Sequence, residues 1–153
     1  MDNLRLNVKA LQDGHQGSPD PCRPAVRFEG YIWGYPPEPL VRHTKDAAGF
    51  DTIILADLIF NHSQHASLIN SVRGSLERSP QSVALVFFTS HRPHLQHKDL
   101  AFFDLAREAG FAVAQVHEQV MEKPMFEVDQ GDELTRRTVS GYELTWLPSS
   151  LLP

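Results

Sequence analysis

Cysteine, long apolar runs, long basic runs and glycine-rich loops are scarce or missing in this chain, and each lack removes a class of function. Among its 153 residues Cys22 is the only cysteine. No disulfide can close within the chain, which fits a reducing compartment. No stretch approaches the roughly 20 apolar residues that cross a bilayer. Met1-Asp2-Asn3-Leu4-Arg5 carries no apolar core of a secretory signal. A soluble, cytoplasmic protein without a membrane partner is expected. The net charge is −5 with no basic run, so electrostatics offers no support for binding nucleic acid or anionic membranes. Gly14 and Gly17 frame a loop with no strand before it, and a dinucleotide fingerprint fails without that strand. There is no Gly-x-Ser-x-Gly elbow and no His-Glu-x-x-His pair.

What is present reads as a globular α/β chain. Hydrophobic content of 41% against 22% charged residues suits one domain over 1–153, with enough length to bury about 68–70% of its unfolded surface. The organising stretch is Phe50–His62. Asp51 opens it, Thr52–Ala56 is an unbroken apolar run, and polarity returns abruptly with Asp57, Asn61 and His62. Continuous apolarity predicts a strand buried on both faces, hence a helix-covered parallel sheet. Ligands of open α/β sheets sit outside the carboxyl ends of strands, where Asp57 would stand. The plainer alternative is that Asp57 caps the next helix.

In chain order, Met1–Leu11 has Leu4, Val8 and Leu11 at helical spacing, and Gln12–Pro24 is a polar loop. Ala25–Ile32 is a candidate strand. Pro36, Pro37 and Pro39 forbid a regular helix or central strand over Tyr35–Asp46. Asn61 or Ser63 opens a helix to about Arg78 with Ala66, Leu68, Ile69, Val72 and Leu76 inward. Ser82–Thr89 is a second strand buried on both faces. Lys98–Ala109 is a helix with Leu100, Phe103, Leu105 and Ala106 inward, closed by Gly110. Phe111–Val120 alternates like a strand near a sheet edge. Glu127–Arg137 is a charged loop, and Thr138–Leu147 is a last strand, antiparallel to its neighbour because no crossover helix separates them.

Three constellations invite chemistry. His62 and His65 follow one strand, and His91, His94 and His97 follow the next, so they could converge on a metal. No cysteine or repeated carboxylate accompanies them, and no metal site is expected. Cys22 lies in a proline-rich loop with no histidine at a telling distance. Trp33-Gly34 at a strand end could lay an indole over a purine, or simply pack the loop down.

The segments Tyr31–Gly34, Phe50–His62, Phe87–Pro93, Lys123–Phe126 and Gly141-Tyr142 together resemble one family. It is that of the fungal nicotinamide N-methyltransferase-like proteins, whose better-understood members methylate the N-terminus and a nearby lysine of translation elongation factor 1-alpha. The wider group is the seven-stranded, S-adenosylmethionine-dependent methyltransferases. The resemblance implies that Trp33, with Gly34, lies against the cofactor's adenine and that Ala56 contacts the cofactor. It implies that Asp57 and Phe60 form an Asp-x-x-Phe motif near the transferred methyl and the incoming amine. Asn61, His62 and His91 would border the substrate opening. The family's first strand with its Gly-x-Gly-type turn, and its second strand ending in a ribose-holding acid, have no counterpart in this sequence. The chain thus resembles the C-terminal part of a partial Rossmann-like class I methyltransferase fold, with strands three to seven of the order 3-2-1-4-5-7-6. A monomer that binds cofactor poorly and is inactive by itself is expected. Phe50–Ala56 would then be an exposed edge. A non-catalytic interaction remnant and a histidine-based metal hydrolase are the alternatives.

Overall fold

The computed structural model describes residues 27–126 and 130–151. Contacts divide the chain into two units, Met1–Tyr31 and Ile32–Pro153. Of the first, only residues 27–31 are described, and they form no helix or strand. The helix expected over Met1–Leu11, the loop over Gln12–Pro24 and Cys22 all lie outside the described residues. So do Ala25 and Val26, and the described remainder of that expected strand is irregular. A strand persists only where a neighbour takes up its backbone hydrogen bonds, and residues 27–32 join no ladder of the described sheet.

The second unit is a mixed α/β structure. Its elements are α1 (Glu38–Val41), β1 (Thr52–Ala56), α2 (His65–Ser75), β2 (Val83–Thr89), α3 (Gln96–Glu108), β3 (Phe111–Val120), α4 (Glu133–Arg137), β4 (Thr138–Trp146) and α5 (Pro148–Leu151). The four strands lie in the order β1-β2-β4-β3. β1 and β2 are parallel, joined by the α2 crossover, and β4 runs antiparallel to both β2 and β3. The antiparallel final strand and the edge position of β3 are as the sequence predicts.

Four details depart from prediction. β1 is not buried on both faces: Leu55 is 2% exposed but Ile54 is 66% exposed. It pairs with β2 alone among the described strands, so no described residue pairs with its other edge. α2 ends at Ser75, three residues early, because Phe50 captures the backbone there: Phe50 N–H donates to Ser75 O, and Glu77 N–H to Phe50 O, each at 2.8 Å. Ala66 and Leu100 point outward rather than in. At about 100° per residue, one position's phase error moves a side chain off the buried stripe. His65 and Asp99 take the inner places because buried hydrogen bonds satisfy them. Finally, single helical turns occur where none was expected. Pro39 sits in the first turn of α1, where a missing N–H costs nothing. Asp132 caps α4, its carboxylate accepting from Thr135 N–H at 2.7 Å.

The core lies between the sheet and helices α2 and α3. Leu68, Ile69, Val72, Phe102, Phe103 and Ala106 pack on Leu55, Val86, Phe88 and Leu144. Tyr142 stacks on Phe103 with ring centres 4.1 Å apart. This packing fixes the carboxyl ends of β1 and β2 side by side.

Candidate functional site

β1 ends at Ala56, and the next residue turns the chain sharply. Asp57 has φ of 50°, in the left-handed region that aspartate tolerates better than bulkier residues. Its N–H donates to Phe87 O at 2.8 Å, and its carboxylate accepts the Thr89 N–H at 3.1 Å. Asp57 therefore does not cap α2. It ties the tip of β1 to the tip of β2 and stays exposed.

Two further ties bind the segments that follow these strands. Arg92 donates to Phe60 O at 3.0 Å. Asp99, 5% exposed, lies 2.6 Å from His62 Nε2 through one oxygen and accepts the Ser90 hydroxyl at 2.8 Å through the other. The order Ser–Asp–His leaves the serine without a base against its hydroxyl, so this is a brace and not a nucleophilic triad. His65 Nε2 meets Ile59 O at 2.6 Å, and His91 stands edge-on to Phe126. Among the described residues no three His, Cys, Asp or Glu side chains are grouped to hold a metal.

A pocket of about 380 Å³ opens beside Asp57. Ala56, Asp57, Phe87, Thr89 and His91 line its strand side. Met121, Lys123, Met125, Arg136 and Val139 line the side formed by the β3–β4 arm. Of the residues singled out in the sequence, the structure brings Ala56, Asp57 and His91 to this pocket. Phe60, Asn61 and His62 do not line it. Phe60 is 57% exposed, Asn61 accepts the Ser63 hydroxyl at 3.0 Å, and His62 is turned to Asp99. Trp33 packs half-buried against the core. Gly34, at φ of 85°, donates its N–H to Ser71 Oγ at 2.8 Å. A Cβ there would stand 3.1 Å from that of Ser67, so the Trp-Gly turn seats directly on α2.

Sequence reasoning missed Asp99, Ser90 and the arm residues around Arg136. Asp99 reads as an ordinary acid in the first turn of a helix. The arm residues reach the pocket only through the β2–β4 pairing, which no local pattern encodes.

No helix among the described residues is long and apolar enough to cross a membrane. No protein-family model matches the chain. It is 52% identical over 122 residues to a Neurospora crassa protein named protein N-terminal and lysine N-methyltransferase efm7, covering 77% of this chain and 43% of that protein. The Aspergillus fumigatus protein of the same name is 42% identical over 152 residues, covering 99% of this chain and 57% of its own length. The one from Schizosaccharomyces pombe is 39% identical over 147 residues, covering 95% and 54%. The chain spans about half the length of these curated relatives.

Proposed function

Since the chain belongs by sequence to the family of protein N-terminal and lysine N-methyltransferases, over the half of their length that it spans, we propose that it forms the amine-facing part of such an enzyme. Its substrate would be an amine of translation elongation factor 1-alpha, a lysine side chain or the N-terminus, and its setting the cytoplasm. The observation that carries this reading is Asp57: an exposed carboxylate, held in a left-handed turn at a strand's carboxyl end, on the wall of an open pocket.

S-adenosylmethionine, when bound, supplies an electrophilic methyl on a sulfonium. The described residues fit one side of such a group. Ala56, on the pocket wall, leaves room for close approach, and the family resemblance would give the adenine to Trp33, whose half-buried indole and following Gly34 are seated on α2. Among the described residues no glycine-rich turn follows a strand into a helix, so the grip on the methionine and ribose parts falls to the remainder of the family's length.

The chain's own residues then act on the amine. Asp57 draws in the ammonium form by charge, and one carboxylate oxygen stays fixed by Thr89 while the other orients the nitrogen. The apolar walls, Phe87 and Val139, favour the neutral form, so the ammonium releases its proton to solvent at the pocket mouth and the amine lone pair becomes free to attack. The carboxylate afterwards stabilises the methylated ammonium. Positioning supplies most of the acceleration. His91 would set the rim of the opening, while Phe60, Asn61 and His62, which stand off the pocket wall, would act only on the approach to it.

The test has two arms. Calorimetry of the 153-residue chain with S-adenosylmethionine should show no micromolar binding. Joined to the part of the relatives that it does not span, the chain should methylate elongation factor 1-alpha. Micromolar binding by the isolated chain would refute its proposed inactivity, and no transfer by the joined protein would favour the non-catalytic remnant.

A further inference from the structure

Arg136 is used by no step above, yet it is a buried charge on the pocket wall. It is 8% exposed. Its NH1 donates to Phe126 O at 3.0 Å, while its Nε is buried with no hydrogen-bond partner among the described residues. No carboxylate among them forms an ion pair with it. Neighbouring Arg137, by contrast, meets Glu133 at 3.2 Å. Asp132 feels the Arg136 charge, but its carboxylate is bound to Thr135. A guanidinium does not shed its proton to relieve burial, so it calls for an anion. Among the described residues the pocket wall holds one acid, Asp57, and Arg136 with Lys123 and Arg137 as cations. A ligand that answers both signs must carry an amine and an acid.

We propose that the pocket takes a protein segment in which a primary amine stands beside an acidic side chain, the amine meeting Asp57 and the carboxylate meeting Arg136. This rests on reading the pocket as the amine site and adds the substrate feature that it selects. Arg is suited to the task because its planar fork pairs a carboxylate with two parallel hydrogen bonds. The orphaned Nε and the lack of a counter-charge among the described residues are the features that such a ligand would satisfy.

The experiment titrates the 153-residue chain with two synthetic peptides, each with one lysine, identical except for Glu or Gln next to it. The Glu peptide should bind about tenfold tighter or more. That advantage should vanish in Arg136→Gln and survive in part in Arg136→Lys. Equal affinity for the two peptides, or binding of neither, overturns the inference. The wild-type comparison decides it even where Arg136→Gln fails to fold. Methyl transfer is scored separately on the joined protein. Transfer to both peptides at equal rates would sink the acidic preference and leave the enzymatic reading standing. Glu-selective binding without any transfer would do the reverse.

Discussion

Thr89 gives its backbone N–H to the Asp57 carboxylate at 3.1 Å, so the side chain proposed to hold the amine also holds two strand tips together. These roles separate by substitution. Asp57→Asn keeps an acceptor oxygen and a residue tolerant of positive φ, so its stability should match the parent within about 0.5 kcal/mol. Asp57→Ala loses both and should cost about 1–2 kcal/mol. Methyl transfer by the joined protein should be lost in both. Urea unfolding beside the assay checks this, and full activity in Asp57→Asn would remove the charge from the mechanism.

The brace at Asp99 should matter more to the fold than either of its partners. Asp99→Ala strands the buried Ser90 hydroxyl and leaves the partly exposed His62 ring nitrogen without its partner, at about 2–4 kcal/mol. Ser90→Ala removes one hydrogen bond to the Asp99 carboxylate, for about 1–2 kcal/mol. Chemical denaturation of the two variants should preserve that order. Equal losses would mean that Asp99 is satisfied in some other way.

Asp132 yields a pH prediction. Thr135 N–H and the Thr135 hydroxyl bind its carboxylate, which holds its pKa below the usual carboxylate range. A depressed folded pKa adds stability that is present above the unfolded value and lost as pH falls through the folded one. The α4 cap should thus persist at neutral pH and release only below about pH 4. The Thr135 amide shift, followed by nuclear magnetic resonance, should report a midpoint below that of an ordinary aspartate. In Asp132→Ala that transition should be absent.

The edge of β1 that no described strand pairs with is a matter for solution behaviour. Ile54 is 66% exposed on a strand with one described neighbour, and such edges pair with other chains. Ile54→Lys should reduce light scattering by concentrated protein while leaving the unfolding midpoint nearly unchanged. Unaltered self-association would show that this edge is already covered.

How much of this was legible beforehand follows from where the information resides. The runs Thr52–Ala56 and Val83–Phe88 announce strands because apolar content and length suffice, and Gly110 marks a helix end because only positive φ fits there. Asp57 was legible as a strand-tip acid. Its partner was not, because Thr89 arrives through a parallel register that local sequence does not state. The inward turn of Asp99 and the outward turn of Leu100 reverse the hydropathy rule, since two hydrogen bonds decide that helix's phase. Arg136 is the extreme case. A cation in a charged stretch reads as solvated, and only the β4–β2 pairing carries it against the pocket.

Gly141 is where sheet pairing and pocket shape meet, and it gives the sharpest packing prediction. It lies opposite Phe87 in the β2–β4 ladder and opposite His117 at the irregularity in β3. A Cβ there would stand 2.6 Å from Phe87 Cε1 and 2.8 Å from His117 Cβ. The Phe87 ring, which also lines the pocket, can give by rotating, while the His117 Cβ is fixed to its strand. Gly141→Ala should therefore cost about 1–3 kcal/mol, the usual penalty for overpacking. Phe87→Leu shortens the reach of the clashing side chain, so the double variant should lose less than the sum of the two single changes. A double-mutant cycle by urea unfolding measures that coupling. Strict additivity would place the strain on His117 alone and leave the pocket wall undisturbed.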